Sequence, residues 1–134
     1  MITLDTSAVL ALGWPSDAHH GAASATVAED GGPYIVPAGI LAEVAYMMET
    51  AGYRTTLELL LDDLHSGSLS LRCGEEDLPR IGALIGRYAD LPLGFADATV
   101  VACAEANGGR VLTFDRRDFR VVAAEGTIQL EPSA

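Results

Sequence analysis

The chain contains no lysine; all eight of its basic residues are arginines. A nucleotide-binding loop that places a lysine on the phosphates is therefore excluded. Positive charge is scarce altogether. Nineteen acids against eight bases give a net charge of −11, and such a surface does not attract nucleic acid non-specifically. A nucleic-acid substrate would need a local exception: metal ions, clustered arginines, or a basic partner or dimer mate. No apolar run approaches the roughly 18 residues a membrane span needs, so no membrane role is expected. A basic amino-terminal stretch is also missing, with an acid already at position 5, and a secretory signal is not expected. Cysteine is limited to Cys73 and Cys103, which fit no metal-ligand spacing. They read as reduced, buried thiols of a cytoplasmic protein rather than as a disulfide.

What is present suits one globular domain over residues 1–134, since 49% of the chain is apolar and 20% charged. Strand-like and helix-like stretches alternate. Ile2–Leu4 reads as a strand, Ala8–Leu12 and Asp17–Glu29 as helix, and Pro33–Pro37 as a short buried strand. In "AGILAEVAYMMETAG", Ile40, Leu41, Val44 and Met48 fall at helical spacing and Gly52 is a stop signal. Helix is expected over Thr55–Leu64, strand over Ser68–Cys73, and helix again over "EEDLPRIGALIGRYAD" and "FADATVVACAEANGG". "RVLTFD" and "TIQL" read as closing strands. Strands separated by helices predict an α/β domain of three layers, α/β/α, around a mostly parallel sheet of about five strands.

Four carboxylates stand in unusual apolar settings. Asp5 ends the first strand, Glu43 lies in "ILAEVAYMM", Asp97 begins the apolar "GFADATVVACAEA", and Asp115 ends "RVLTFD". Each alone also has a bland reading as a helix cap, core-edge or surface acid. In a parallel sheet, however, the ends of the first and fourth strands share one edge, where open α/β sheets place their sites. Asp5 and Asp115 then point to one crevice if those strands are neighbours, and Glu43 approaches in the first turns of its helix. Asp97 joins them only if its helix begins at that rim. Carboxylates brought that close repel one another; at an effective dielectric near 20, two charges 4 Å apart cost roughly 4 kcal/mol. No lysine is present to compensate, and Arg116 and Arg117 cannot neutralise four acids. A hard divalent cation can, with phosphoryl chemistry as its usual purpose.

"DTSAVLAL" at the start, Glu43 alone in the second helical block, and "YADLPLGFADATVVACAEANGGRVLTFDRRDF" near the end together resemble the PIN-domain ribonucleases, and within them the VapC-type toxins of toxin–antitoxin pairs. The likeness runs in order along nearly the whole chain, and its specificity lies in the carboxyl-terminal block. It implies a cytoplasmic endoribonuclease using Mg2+ or Mn2+, with Asp5, Glu43, Asp97 and Asp115 as the catalytic acids. Asp5 and Asp97 would be the direct metal ligands, and Glu43 and Asp115 would complete the site. It further implies an RNA substrate, a homodimer, and a cognate antitoxin, whose basic segment the net charge of −11 would suit.

Beside these acids, Thr6 and Thr113 are candidates to bond a metal water or a phosphate oxygen, and Arg116 and Arg117 to hold flanking phosphates. Asp118 is a further acid whose better reading is the cap of a helix starting in "RRDF". Trp14 can stack on a base, though packing over a helix end is the commoner use. His19, His20 and His65 show no ligand spacing and are expected on the surface or on helix faces, while "AYMMETAGY" reads as a core or dimer stripe. Haloacid-dehalogenase-like phosphatases and receiver domains also carry acids at strand ends. Both need a lysine, and the former needs a second aspartate where this chain has Ser7. Two alternatives stay open: a PIN-like RNA-processing nuclease without an antitoxin, and a silent scaffold that only binds a partner.

Overall fold

A computed structural model describes residues 1–133. Five strands, β1 (Ile2–Leu4), β2 (Tyr34–Pro37), β3 (Ser70–Arg72), β4 (Arg110–Leu112) and β5 (Gln129–Glu131), form a single sheet in the order β3-β2-β1-β4-β5. Every neighbouring pair is parallel. Seven α-helices connect and cover them: α1 (Thr6–Gly13), α2 (His20–Asp30), α3 (Leu41–Thr50), α4 (Arg54–Ser66), α5 (Leu78–Arg87), α6 (Phe95–Ala106) and α7 (Arg117–Ala123). The α/β/α architecture expected from the alternating pattern is thus observed, with a sheet that is wholly parallel.

β1 lies at the centre, paired with β2 on one side and β4 on the other. Its side chains Ile2, Thr3 and Leu4 are all buried, as are Val111 and Leu112 of β4. This is why these strands are short continuous apolar runs rather than alternating ones. Helix α6 is buried without interruption from Ala98 to Ala104, because its small residues let it lie against the sheet while α5 packs over it. Gly39, in the 3-10 turn before α3, makes room for this approach: a Cβ there would meet Thr99 Cγ2 at 2.7 Å. At the opposite end of the strands, Arg110 of β4 holds Asp30 at 2.5 Å and Glu131 at 3.1 Å, tying α2, β4 and β5 together. The Asp30 carboxyl is lowered below its usual pKa chiefly by the hydrogen bond from Arg110.

Three expectations are corrected. Cys73 and Cys103 are bonded to each other rather than free. The compartment argument ignores where the fold puts the two residues; the chain leaving β3 meets the last turns of α6 there, with the Cα atoms 5.7 Å apart. The strand in "RVLTFD" stops at Leu112; the Thr113 N–H still bonds to the Glu131 carbonyl at 3.1 Å, while its hydroxyl bonds to Asp5. Asp118 does not cap α7. Arg116 holds the N-cap position, and Asp118 lies in the first turn.

Candidate metal and phosphodiester site

β1 and β4 are neighbours, so their carboxyl ends deliver Asp5 and Asp115 to one edge. The chain enters α1 immediately after β1, and Asp5 is its N-cap, accepting the Ala8 N–H at 2.9 Å on Oδ1. The capping and the site readings of Asp5 therefore both hold. The helices α3 and α6 start at the same edge, with Glu43 and Asp97 in their first turns. A cavity of about 190 Å3 gathers Asp5, Glu43, Asp97 and Asp115, with Thr6 and Ser7 on its wall. Leu10, Met47, Ala96 and Val100 supply the apolar part of that wall.

The four acids differ in how tightly they are held. Asp5 is buried, and besides Ala8 its carboxylate accepts Ser7 Oγ at 2.8 Å on Oδ1 and Thr113 Oγ1 at 2.6 Å on Oδ2. Burial raises its pKa, against these three hydrogen bonds, which lower it; Asp115 adds a smaller upward push. Asp97 is half-buried, and its pKa is pushed up to about 6. Burial is the first cause, followed by the negative charges of Asp118, Asp115, Asp5 and Glu43. Glu43 and Asp115 are exposed at the rim.

Five carboxylates thus act on one place, with no arginine among the groups that shift Asp97. The amino-terminal ends of α1, α3, α6 and α7, where Asp5, Glu43, Asp97 and Asp118 stand, offset part of that repulsion through their dipoles. The rest is uncompensated. Among the described residues no three Asp, Glu, His or Cys side chains converge closely enough to form a protein-only metal cage. The donor set is all oxygen, as hard divalent cations prefer.

The remaining candidates separate by geometry. Thr6 lines the cavity. Thr113 is buried with its hydroxyl committed to Asp5, and it receives the Asp115 N–H at 3.1 Å. The hydroxyl is thus placed to hold Asp5 and the backbone of Asp115 at once. The Arg116 guanidinium donates to the carbonyls of Thr113 at 3.0 Å and Pro132 at 2.6 Å, which binds the loop to the end of β5. Arg117 is exposed and makes no ion pair among the described residues. Trp14 lies away from the cavity, its ring against Tyr53 with centroids 4.8 Å apart at the end of α1. His19 stacks on Phe114 at 4.6 Å, and His20 Nδ1 lies 2.7 Å from the Ala11 carbonyl oxygen.

Ser7, not a candidate on the sequence alone, also bears on the crevice. Its hydroxyl donates to Asp5 and accepts the Phe114 N–H at 2.9 Å, bridging the start of α1 to the chain leaving β4. Asp118 lies close enough to Asp97 for its charge to be, after burial, the main cause raising the Asp97 pKa. The signal for Ser7 is in "DTS", where a hydroxyl two residues after an acid is suited to bond back to it. Removing the Thr113 hydroxyl as Thr113→Val leaves a buried carboxylate oxygen short of its donor. We expect a loss of about 1–3 kcal/mol in a urea titration and a drop of about 10–100-fold in any metal-dependent activity. Unchanged stability and activity would remove the positioning role.

Comparison with known proteins gives a consistent pattern. The sequence model of the PIN domain matches residues 2–125. Ribonuclease VapC26 of Mycobacterium tuberculosis is 29% identical over 125 residues, covering 92% of this chain and 93% of the relative. In structure, the chain is similar to the VapC20 toxin of M. tuberculosis, which cleaves the sarcin–ricin loop, with a TM-score of 0.77 and 19% identity. That match covers 90% of this chain and 95% of the other. FitAcB from Neisseria gonorrhoeae matches with a TM-score of 0.64 and 20% identity over 97% of this chain and 96% of its own.

Proposed function

The chain belongs to the PIN domain family, and from that premise we propose that it is an endoribonuclease dependent on Mg2+ or Mn2+, the toxin of a toxin–antitoxin pair. The observation that carries the reading is the gathering of Asp5, Glu43, Asp97 and Asp115 around one cavity, where burial and the neighbouring carboxylates push the Asp97 pKa up. A scaffold that only binds a partner has no use for a self-repelling cluster at the sheet edge. The name of the 29% identical relative, a ribonuclease, supports RNA as the substrate.

In this reading Asp5 and Asp97 hold the cation directly. Asp5 is oriented for that task by Ser7, Ala8 and Thr113. Bound there, the cation supplies Lewis acidity to the scissile phosphate and lowers the pKa of a water. Glu43 and Asp115, exposed at the rim, orient the attacking water and take up its proton. Attack in line with the leaving 3′ oxygen gives a 5′-phosphate and a 3′-hydroxyl. Thr6 reaches phosphate from the cavity wall, and the exposed Arg117 holds a flanking phosphate. Apolar Leu10, Met47 and Val100 limit water to the reacting region.

The net charge of −11 without a single lysine suits a basic antitoxin segment. Exposed Tyr46, Met47, Leu59 and Leu61 on α3 and α4 provide apolar surface for a homodimer. The test is to incubate purified protein with total cellular RNA and Mg2+ or Mn2+, with a chelator control, and to map new 5′ ends. Discrete cation-dependent cuts carrying 5′-phosphates are expected. A folded, partner-free protein that cuts nothing under either cation would leave the scaffold reading in its place.

A further inference from the structure

His19 and Phe114 form an aromatic stack that takes no part in holding the acids of the crevice. The two rings are nearly parallel, 11° apart in plane, with their centroids 4.6 Å apart. His19 stands at the N-cap of α2, a position that favours Ser, Thr, Asp or Asn, whose short side chains bond the free N–H groups there. Its imidazole makes no such bond; the cap is forgone and a ring is placed there instead. The backbone beneath it is fixed: the His19 N–H donates to Asp17 Oδ1 at 2.7 Å, and its carbonyl accepts the Ala23 N–H at 2.9 Å. Phe114 is half-buried against the core, while His19 is exposed. One face of the imidazole is thus covered by Phe114 and the other is left to solvent.

The stack is tied to the crevice by its place in the chain. Phe114 lies between Thr113, whose hydroxyl bonds Asp5, and Asp115. Its N–H donates to Ser7 Oγ at 2.9 Å, and Ser7 donates in turn to Asp5 at 2.8 Å. A group laid on the free face of His19 is therefore held in register with both Asp5 and Asp115. Arg117, exposed and without an ion pair among the described residues, follows three residues after Phe114. Single-stranded nucleic acid is held by just these two elements, an aromatic face for a base and a cation for the backbone. Trp14, the residue expected from the sequence to stack on a base, is turned to Tyr53 at the far end of α1. His19 occupies the position that Trp14 does not.

We propose that His19, backed by Phe114, is a stacking platform for the RNA base next to the scissile phosphate, and hence a substrate-binding residue. The inference rests on the RNA-cleaving reading of the crevice and adds the contact that holds the neighbouring nucleotide. Every base has a face that stacks, so the platform fixes which phosphate is presented and not which base is read. An arginine from a partner protein also packs over an aromatic ring. RNA is favoured over it, because a guanidinium is drawn to the unpaired carboxylates of the crevice, whereas Asp17, at the platform, is already bonded to the His19 N–H.

The test titrates the intact protein, in chelator and without divalent cation, with single-stranded tetraadenylate RNA, following the histidine ring protons by NMR. A stacked base shields the ring beneath it. The His19 Hδ2 and Hε1 signals are therefore expected to move upfield and saturate, while those of His20 and His65 stay nearly still. His19→Ala, at an exposed position, should melt as wild type does and bind tetraadenylate about 5–100-fold more weakly. His19→Tyr, which keeps a ring face, should retain most of the affinity. In cleavage assays with Mg2+ or Mn2+, His19→Ala should raise KM by a similar factor with kcat nearly unchanged. RNA that moves the His19 signals but is never cut would uphold the platform and count against the nuclease reading alone. Four results would overturn the platform, whether or not the protein cuts RNA. They are His19 signals that tetraadenylate does not move, undiminished affinity in His19→Ala, equal losses in His19→Ala and His19→Tyr, and shifts produced by an arginine-rich peptide but not by RNA.

Discussion

Asp97→Asn is expected to abolish RNA cleavage and, in cation-free buffer, to make the protein more stable. The two effects share one cause. Asp97 is half-buried at the start of α6, and burial together with Asp118, Asp115, Asp5 and Glu43 pushes its pKa from 3.8 to about 6. A carboxyl whose folded pKa lies above its unfolded one favours the fold when protonated. That contribution is fully present below about pH 4 and is lost as the pH rises through about 6. Asparagine mimics the neutral form at every pH. The melting temperature of the variant should therefore equal that of wild type near pH 4 and exceed it above pH 6, with the gap widening between those values. Cleavage should fall by at least about 100-fold, more than is typical for losing a residue that merely supports a metal ligand. Adding Mn2+ should raise the wild-type melting temperature and leave that of the variant nearly still, because a ligand stabilises only the state that binds it. A variant that is less stable at pH 8, or that still cuts RNA, would contradict the assignment of Asp97.

The second large effect is expected from the bond between Cys73 and Cys103. It closes a loop across a sequence separation of 30 residues, from the exit of β3 to α6. Loop entropy alone makes such a link worth about 3–4 kcal/mol. Urea unfolding of oxidised protein, compared with Cys73→Ala/Cys103→Ala, should show a stability lower by that amount for the double variant and a steeper slope, because its unfolded chain is less compact. Two titratable thiols in the native, unreduced protein would contradict the bond.

Much of this molecule was legible in its sequence because its signals are local. The buried β1 and β4 are short β-branched or aliphatic runs, and α3 carries Val44 and Met48 on one face. Four acids stood out because each interrupts such a run. What stayed hidden depends on distance in the chain. Thr113 finds Asp5 across 108 residues, and no local pattern distinguishes that hydroxyl from an ordinary strand threonine. The helix expected from "RRDF" is present as α7, which buries Phe119 and Val122, but its cap is Arg116 rather than Asp118, a boundary that so short a repeat does not fix. The disulfide arises where the chain leaving β3 meets α6, which the sequence alone does not bring together.

The central claim is that the crevice of Asp5, Glu43, Asp97 and Asp115 exists to hold a divalent cation. Its most direct test is a calorimetric Mn2+ titration of chelator-stripped protein at about pH 7.5, repeated near pH 5, where Asp97 is largely protonated. The account predicts saturable binding by wild type, weaker at the lower pH, and at least about tenfold weaker in Asp97→Asn. Wild-type protein that takes up no Mn2+, or Asp97→Asn that takes it up with undiminished affinity, would contradict it.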